Sequence, residues 1–547
     1  MSLFWGLQSL HFAFSRDFLI QDDARQHIFW MQRFINPALF PNDLIADYFQ
    51  SVAPPGFTAF YYLFAQVGLS PSLLSKLLPT VLGVLATLYC FGVSLQLLPV
   101  PAAAFLSTLL LNQGLWMEDD LVSATPRAFL YPLLLAFLYY LLRHSWWSTL
   151  ACLSLLCLFY PQMALLAIAV LSLRLFDWRC GHLCLSNSKG SYQLWGAGLL
   201  VMAAILLPYK LTTTEFGPLI TVTQAKQLAT FNYVDGYYGR SFFFSENPLI
   251  FWLFGPRSGL LFWGIFSPLA LTGLALPVLL NQPQKFPVAK RVSPQIYLLV
   301  QVVWAGLGLF FLAHLLLFQL HFPNRYVYHS LRTVLAIAAG MSLYIYFEAL
   351  LRPPASLPKR NKLAIAFQIG CVALLLLVPF SAGLTLPNQL FKPAREPELH
   401  QFLQQQPAAS LVVSLDKEAD NIPTFSQRST LVAQEYAFPY HWGYYTQFRQ
   451  RVLALSAAQY SSDPQQLRQF IGQFGADFWL LDKQSFTPEY VTENRLLREF
   501  SQTDRVLQGL ENPELVLPNL IASCTALETD SRVLLDAHCI AQQSQLQ

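Results

Sequence analysis

The sequence predicts a polytopic α-helical membrane protein that ends in a smaller α/β domain. Three observations carry this. Charged residues are only 12% of the 547-residue chain and hydrophobic ones 54%, whereas a soluble domain carries about 25% charged residues. Apolar runs of bilayer-crossing length recur, as in SLLSKLLPTVLGVLATLYCFGVSLQLL and QIYLLVQVVWAGLGLFFLAHLLLF. From residue 388 onward the runs shorten, and Gln, Asp, Glu and Arg appear throughout. The net charge of +3 gives no ground for a nucleic-acid partner.

Apolar runs place helices near 3–14, 72–98, 101–116, 128–142, 147–160, 162–176, 194–208, 258–280, 295–318, 333–351 and 363–380, about eleven spans. The stretch 147–176 is split at Tyr160-Pro161-Gln162, because one kinked helix would run ~45 Å through a ~30 Å core. The first run, SLFWGLQSLHFAF, gives only ~20 Å of helix. Either the true start lies upstream or this helix thins the membrane. It has neither the basic start nor the small-residue cleavage site of a signal peptide.

With the split, Arg143, Arg174, Arg179, Lys189, Lys285, Lys290, Arg291, Arg352, Lys359 and Arg360 share one side, which the positive-inside rule makes cytoplasmic. The other side collects Asp22, Asp23, Asp43, Asp47, Glu118, Asp119, Asp120, Asp235 and others. Acidic residues do not set orientation, so their segregation marks a functional face. The transmembrane part is 1–385, with outer loops 15–58, 117–127, 209–257 and 319–332, and the extracytoplasmic α/β domain is 386–547.

The first outer loop opens with Asp22-Asp23. Ile28, Met31, Phe34 and Ile35 follow at helical spacing, as in an amphipathic helix lying in the membrane interface. LIADYFQS reads as a second short helix. Two readings of the pair compete: an N-cap at the positive end of the helix dipole, or catalysis. Capping needs one carboxylate, and here there are two.

The second loop, WMEDDLVSATPRAF, holds Glu118, Asp119, Asp120 and then Arg127. Two acidic clusters plus an arginine at one interface suit a divalent metal and a phosphate; the plainer reading is a solvated loop. The long third loop is aromatic-rich, which suits interfacial anchoring or a groove for lipid or sugar. The fourth, QLHFPNRYVYHSLR, sets Arg325, His329 and Arg332 beside Tyr326. Basic residues there run against the positive-inside bias. They read as phosphate-binding groups or as snorkelling side chains.

In the tail, PELHQFLQQQP, GYYTQFRQRVLALSAAQY and DPQQLRQFIGQFG read as helices. SLVVSLD, STLVAQEY and DFWLLD read as strands. EADNIPTFSQRS and EYAFPYHWGYY are loop-like and are expected to face the membrane site. Cys524 and Cys539 can pair if the tail lies in an oxidising compartment. Cys180, His182 and Cys184 are too few for a metal framework.

The pattern resembles the GT-C superfamily of membrane glycosyltransferases, which includes protein O-mannosyltransferases, aminoarabinose transferases and oligosaccharyltransferase catalytic subunits. The resemblance rests on Asp22-Asp23 after the first helix, MEDD at 117–120 in the next outer loop, and an extracytoplasmic tail. It is closest to bacterial members. The tail lacks the WWD signature of N-glycosylation.

The resemblance implies a GT-C-like fold in a bacterial inner (plasma) membrane. It implies transfer of a sugar from a polyprenyl-phosphate donor to a glycan, lipid or protein acceptor at the outer leaflet. Asp22 would be the general base and Asp23 its helper, with Glu118, Asp119 and Asp120 as a second acidic cluster that holds Mg or Mn if a metal is used. Arg127, Arg325 and Arg332 would bind the donor phosphate, and His27, His329 and Tyr326 would contact donor or acceptor. The rival readings are a transporter or flippase for lipid-linked glycans, which would place ionisable groups at mid-membrane, and a non-catalytic subunit of a glycan assembly complex.

Overall fold

The computed structural model describes residues 1–179, 182–211, 215–234, 236–261, 269–351, 362–383, 390–511 and 514–544. The readings that rest on Cys180, Asp235, Arg352, Lys359 and Arg360 lie outside these residues. Most of the chain before residue 384 is helical. Among the described residues four helices are long and apolar enough to cross a membrane: Pro71–Leu97, Lys189–Pro208, Pro294–Leu315 and Asn324–Leu351. Shorter apolar helices cover Pro126–Leu142, Trp146–Phe159, Pro161–Leu173 and Ala270–Leu280. The expected span 258–280 is described at 258–261 and again from residue 269, where a 3-10 turn leads into the short helix Leu276–Leu280.

The split at Tyr160 is a true reversal. Tyr160 leaves helical geometry at φ −148, ψ 81. Leu153 and Ile168 lie on opposite sides of the break, yet both pack at the place where a Cβ on Gly198 would project. A continuous helix would hold those two residues ~22 Å apart. Pro161 supplies the reason, since it cannot donate to the preceding turn and fits the first helical position instead.

The centre of the bundle is the 28-residue helix Asn324–Leu351. It packs closely on Pro101–Trp116, where Ser107 Oγ donates to Ile337 O across the interface at 3.0 Å. A Cβ on Gly340 would lie 2.2 Å from Ser107 N, so only glycine admits this approach. The fourth loop, expected to run to residue 332, ends earlier. Residues 324–332 are the first turns of this helix. Pro323 immediately before it satisfies the start rule, and the polar faces of Arg325, His329 and Arg332 concealed the helix from an apolar-run reading.

In the tail the strands Thr525–Glu528, Arg532–Asp536, Phe478–Asp482, Leu411–Val413 and Ser429–Thr430 lie side by side in that order. The first three are antiparallel and the last two join in parallel. Trp479, Val412 and Leu535 are fully buried. STLVAQEY is strand only at Ser429–Thr430; its remainder turns away and carries Glu435 and Tyr436 in a 3-10 turn. Cys524 and Cys539 form a disulfide between two helices.

The two parts are joined by main chain. Leu19–Gln21 pairs antiparallel with Phe391–Pro393, in the register Ile20 to Lys392. The segment after it corrects the interfacial-helix reading. Helix Asp22–Ile28 and the 3-10 turn Phe29–Phe34 bury Trp30 and Met31 completely. Phe29 meets Tyr436 edge-on at 5.3 Å. Ile28 and Met31 of the face that the sequence alone assigns to lipid are thus buried in protein, whereas Ile35 stays half exposed.

Gly340→Ala is expected to lower the stability of the purified protein by about 1–3 kcal/mol, through overpacking against Ser107. Thermal unfolding in detergent would check this, with Gly308→Ala, which meets nothing within 4 Å, as the neutral comparison.

Candidate active site

Asp22 and Asp23 are the first two residues of helix Asp22–Ile28, and neither caps it. The cap is Gln21, whose side-chain oxygen accepts from Ala24 N at 2.9 Å. The capping reading of the pair is thereby replaced, and both carboxylates are left to face outward. Asp22 Oδ1 accepts from Arg25 Nη2 at 2.7 Å, and Lys392 Nζ stands 3.8 Å from Oδ2. Asp23 is paired with Arg127.

The second acidic cluster closes on the same arginine. The short helix Asp119–Val122 and the 3-10 turn Pro126–Phe129 flank Ala124, which holds a left-handed φ of 54°. Arg127 Nη1 donates to Asp120 Oδ1 at 3.2 Å and Nη2 to Asp119 Oδ2 at 3.3 Å. Three carboxylates from two loops therefore share one guanidinium. Asp120 is fully buried, and its other oxygen accepts from Arg332 Nη1 and the Tyr131 hydroxyl, each at 3.2 Å. Burial pushes its carboxyl up, and the Arg332 guanidinium opposes that. Glu118, 3.7 Å from Arg332, is pushed up by burial to about 7.

Three expected contact residues stand elsewhere. Arg332 lies behind the acidic cavity, not on its wall, because its guanidinium is occupied by Asp120, Tyr131 and Tyr328. His329 is fully buried, with Nδ1 2.9 Å from the Tyr131 hydroxyl and 3.6 Å from Asp120. The Tyr326 hydroxyl donates to Leu320 O at 2.8 Å. On this helix Arg325 and Tyr328 reach the cavity instead.

Two cavities meet here. The first, about 310 Å³, is acidic: Asp22, Asp23, Glu118, Asp119 and Asp120 line it with Arg127 and Arg325. The second, about 460 Å³, shares Asp22, Asp23, Arg127 and Arg325 and adds Arg240, Arg257, Arg495 and Glu435, with His27, Phe438 and Tyr440. Arg240 is engaged by Glu435 at 2.8 Å and Arg495 by Glu499 at 3.1 Å. Arg257 and Arg325 have no carboxylate within 4 Å among the described residues, so two guanidinium groups without a directly paired carboxylate line this space.

The cavity's histidines are neutral. Burial, aided by Arg240, takes His27 down to about 4, and burial with nearby arginines takes His321 down to about 3. Both cavities border segments with positive φ at non-glycine residues, Ala124 and His321, and Phe18 precedes the strand that enters the site; such strain concentrates at functional sites.

Sequence reading missed Arg240, Arg257, Arg495 and Glu435. For Arg240 and Arg257 a signal existed, since both sit in an outer loop against the positive-inside bias, as Arg325 does. Glu435 opens EYAFPYHWGYY, the tail segment expected to face the membrane site, and Phe438 and Tyr440 of that segment line the second cavity with it; Arg495 carries no such mark.

The oxygens that would converge on a divalent ion, from Asp23, Asp119 and Asp120, converge on Arg127. Among the described residues no group of three or more His, Cys, Asp or Glu is placed to hold a metal.

The fold is one that occurs in solved structures of other proteins. Solved structures that share it include the oligosaccharyltransferase of Archaeoglobus fulgidus, tethered to an acceptor peptide through a disulfide. It aligns with a TM-score of 0.53 and 12% identity, over 93% of this chain and 71% of that one. ArnT from Cupriavidus metallidurans in the apo state aligns with a TM-score of 0.50 and 13% identity, over 97% of this chain and 95% of that one. At these identities the likeness is one of fold. No protein-family model matches the sequence, and no curated protein matches it.

Two outcomes follow. Arg127→Ala leaves Asp23 and Asp119 without their cation and Asp120 with Arg332 alone, and is expected to cost about 3–5 kcal/mol of stability. Millimolar Mn²⁺ should recover part of that loss in the variant and leave the unaltered protein unchanged, read by thermal unfolding. Glu118 binds its proton more tightly folded, at about 7, than unfolded, at 4.5. Its contribution to stability is complete below 4.5 and is lost as pH rises through 7. Glu118→Gln should therefore flatten the fall in unfolding midpoint between pH 4.5 and 8.

Proposed function

We propose that this chain is a glycosyltransferase that moves a sugar from a polyprenyl-phosphate donor to an acceptor hydroxyl on the extracytoplasmic face of a bacterial plasma membrane. The observation that carries this is the position of Asp22, on the shared wall between an acidic cavity and one with two arginines that lack a directly paired carboxylate. A base and an anion site thus border the same space, as displacement of a phosphate by a hydroxyl requires.

In this reading Arg325 and Arg257 hold the donor phosphate, the group on which negative charge grows as the sugar departs. Asp22 takes the acceptor proton while the new bond to the sugar's anomeric carbon forms and the carbon–oxygen bond to phosphate breaks. The proton ends on Asp22 and the electron pair on the lipid phosphate. One displacement inverts the anomeric centre. Asp22 suits the role better than Asp23, because its Oδ2 has only Lys392 nearby while Asp23 is tied to Arg127. Arg127, in place of a divalent ion, joins the two acidic loops. The role of Arg332 changes from phosphate ligand to support for Asp120. The disulfide in the tail supports an oxidising compartment for that side.

The test uses the full chain in nanodiscs with a panel of undecaprenyl-phosphate hexoses, reading release of undecaprenyl phosphate. Asp22→Asn is expected to lower turnover about 10²- to 10⁴-fold and Arg325→Gln to raise the donor KM. Full activity in Asp22→Asn would overturn the assignment. Donor binding without turnover by the unaltered protein would favour a non-catalytic subunit, and movement of intact donor between leaflets a flippase.

A further inference from the structure

A line of hydrogen bonds runs from the helical turns of the tail to Asp22. Arg25 is its hinge. One guanidinium nitrogen, Nη2, holds Asp22 at 2.7 Å, and the other, Nη1, donates to Asn421 Oδ1 of the tail at 2.6 Å. Asn421 Nδ2 donates in turn to Glu418 Oε1 at 3.0 Å. The same Glu418 oxygen accepts from Arg395 N at 3.1 Å and lies 2.9 Å from His400 Nε2. The other ring nitrogen of His400 is 2.7 Å from Ser426 Oγ. Thr424 Oγ1 donates to Arg25 O at 2.7 Å and fixes the backbone of the hinge residue. Burial alone would push the Glu418 carboxyl up, but the hydrogen bonds from His400 and Asn421 outweigh it and hold the group below its ordinary range.

Ser426, His400 and Glu418 stand in the order of a hydrolase triad, yet all three are wholly buried and none lines the two cavities. A nucleophile that no substrate reaches has no hydrolytic use. What the line does reach is the carboxylate on the cavity wall. Arg25 is 6% exposed, and an arginine so enclosed takes one orientation only if its donors are matched. Asn421 does the matching: its amide can bond Arg25 through oxygen and Glu418 through nitrogen only one way round, and the ionised Glu418 fixes which way. The backbone pairing of Ile20 with Lys392 brings the second cation, Lys392, to the other oxygen of Asp22. Both groups that orient Asp22 are thus set by residues beyond 390.

We infer that the tail domain is a positioning element for the reaction: Asn421, backed by Glu418 and His400, aims Arg25 and through it the Asp22 carboxylate at the acceptor. Asn421, Glu418 and His400 are positioning residues that touch no substrate. The inference rests on the reading of Asp22 as the base, and its test separates the two.

The experiment compares Asn421→Ala, Arg25→Gln, the double variant and Glu418→Gln in the full chain in nanodiscs. Each single variant at 421 or 25 is expected to lower kcat about 10- to 100-fold with little change in donor KM, as for a misplaced catalytic group. The double variant should be no worse than the poorer single one, because both act through one guanidinium. Glu418→Gln keeps the shape, weakens the anchor and should fall between. Additive losses, or losses in KM alone, would overturn the inference. Hydrogen exchange, read without donor, gives the independent arm. Asn421→Ala and Glu418→Gln should raise exchange in residues 22–28 and leave 119–129 unchanged, and unaltered exchange in 22–28 would also overturn it. If the unaltered protein turns over no donor, the glycosyltransferase reading fails while the exchange result still decides whether the tail orders this segment.

Discussion

The site depends on one constraint: carboxylates gathered at the end of a helix bundle must share too few cations in too little water. Removing a charge from water costs several kcal/mol unless it is paired and hydrogen-bonded. Five carboxylates from two loops meet this cost with Arg25, Arg127 and Arg332. Each arginine comes from a different element, so the helix Asp22–Ile28 of the first loop, the turn Pro126–Phe129 at the end of the second and the central helix Asn324–Leu351 cannot shift independently. The charge lattice is the clasp that gives the bundle's outer end its shape.

That clasp also explains why the two cavities differ. Arg127 and Arg332 are consumed by Asp23, Asp119 and Asp120, which leaves the acidic cavity with a surplus of negative charge. The larger cavity is richer in cations: Glu435 and Glu499 engage Arg240 and Arg495, while Arg257 and Arg325 have no carboxylate within 4 Å among the described residues. A gradient of charge therefore crosses the site within the span of one carboxylate. Such an arrangement suits chemistry in which a proton leaves on one side as an anion departs on the other.

The tail is not an appendage. Its first strand continues the ladder that begins at Leu19, its loops form one wall of the larger cavity through Glu435, Phe438 and Tyr440, and its aromatic residues pack on Phe29 and Phe49 of the first loop. Burial of Phe29 against Tyr436 and of Phe49 against Tyr436 and Phe438 supplies hydrophobic stabilisation of roughly 2 kcal/mol per large side chain between the two parts, where the polar contacts alone would roughly break even.

Composition and run length by themselves determined the membrane class and the reversal at Tyr160-Pro161, because hydrophobicity and proline act locally. They also marked Asp22, Asp23, Glu118, Asp119, Asp120, Arg127 and Arg325 as charges in an improbable place. What each charge does was beyond reach of the sequence, since a partner is set by distance in space. Gln21 takes the cap that the aspartates were offered, Arg127 fills the centre that a metal was expected to fill, and Arg332, His329 and Tyr326 turn inward because their helix begins at Asn324. Arg25 touches both Asp22, three residues away, and Asn421, nearly 400 residues away. Only the tertiary fold decides that second contact, for the energy of an ion pair or hydrogen bond depends on separation and burial, and neither is written in the order of residues.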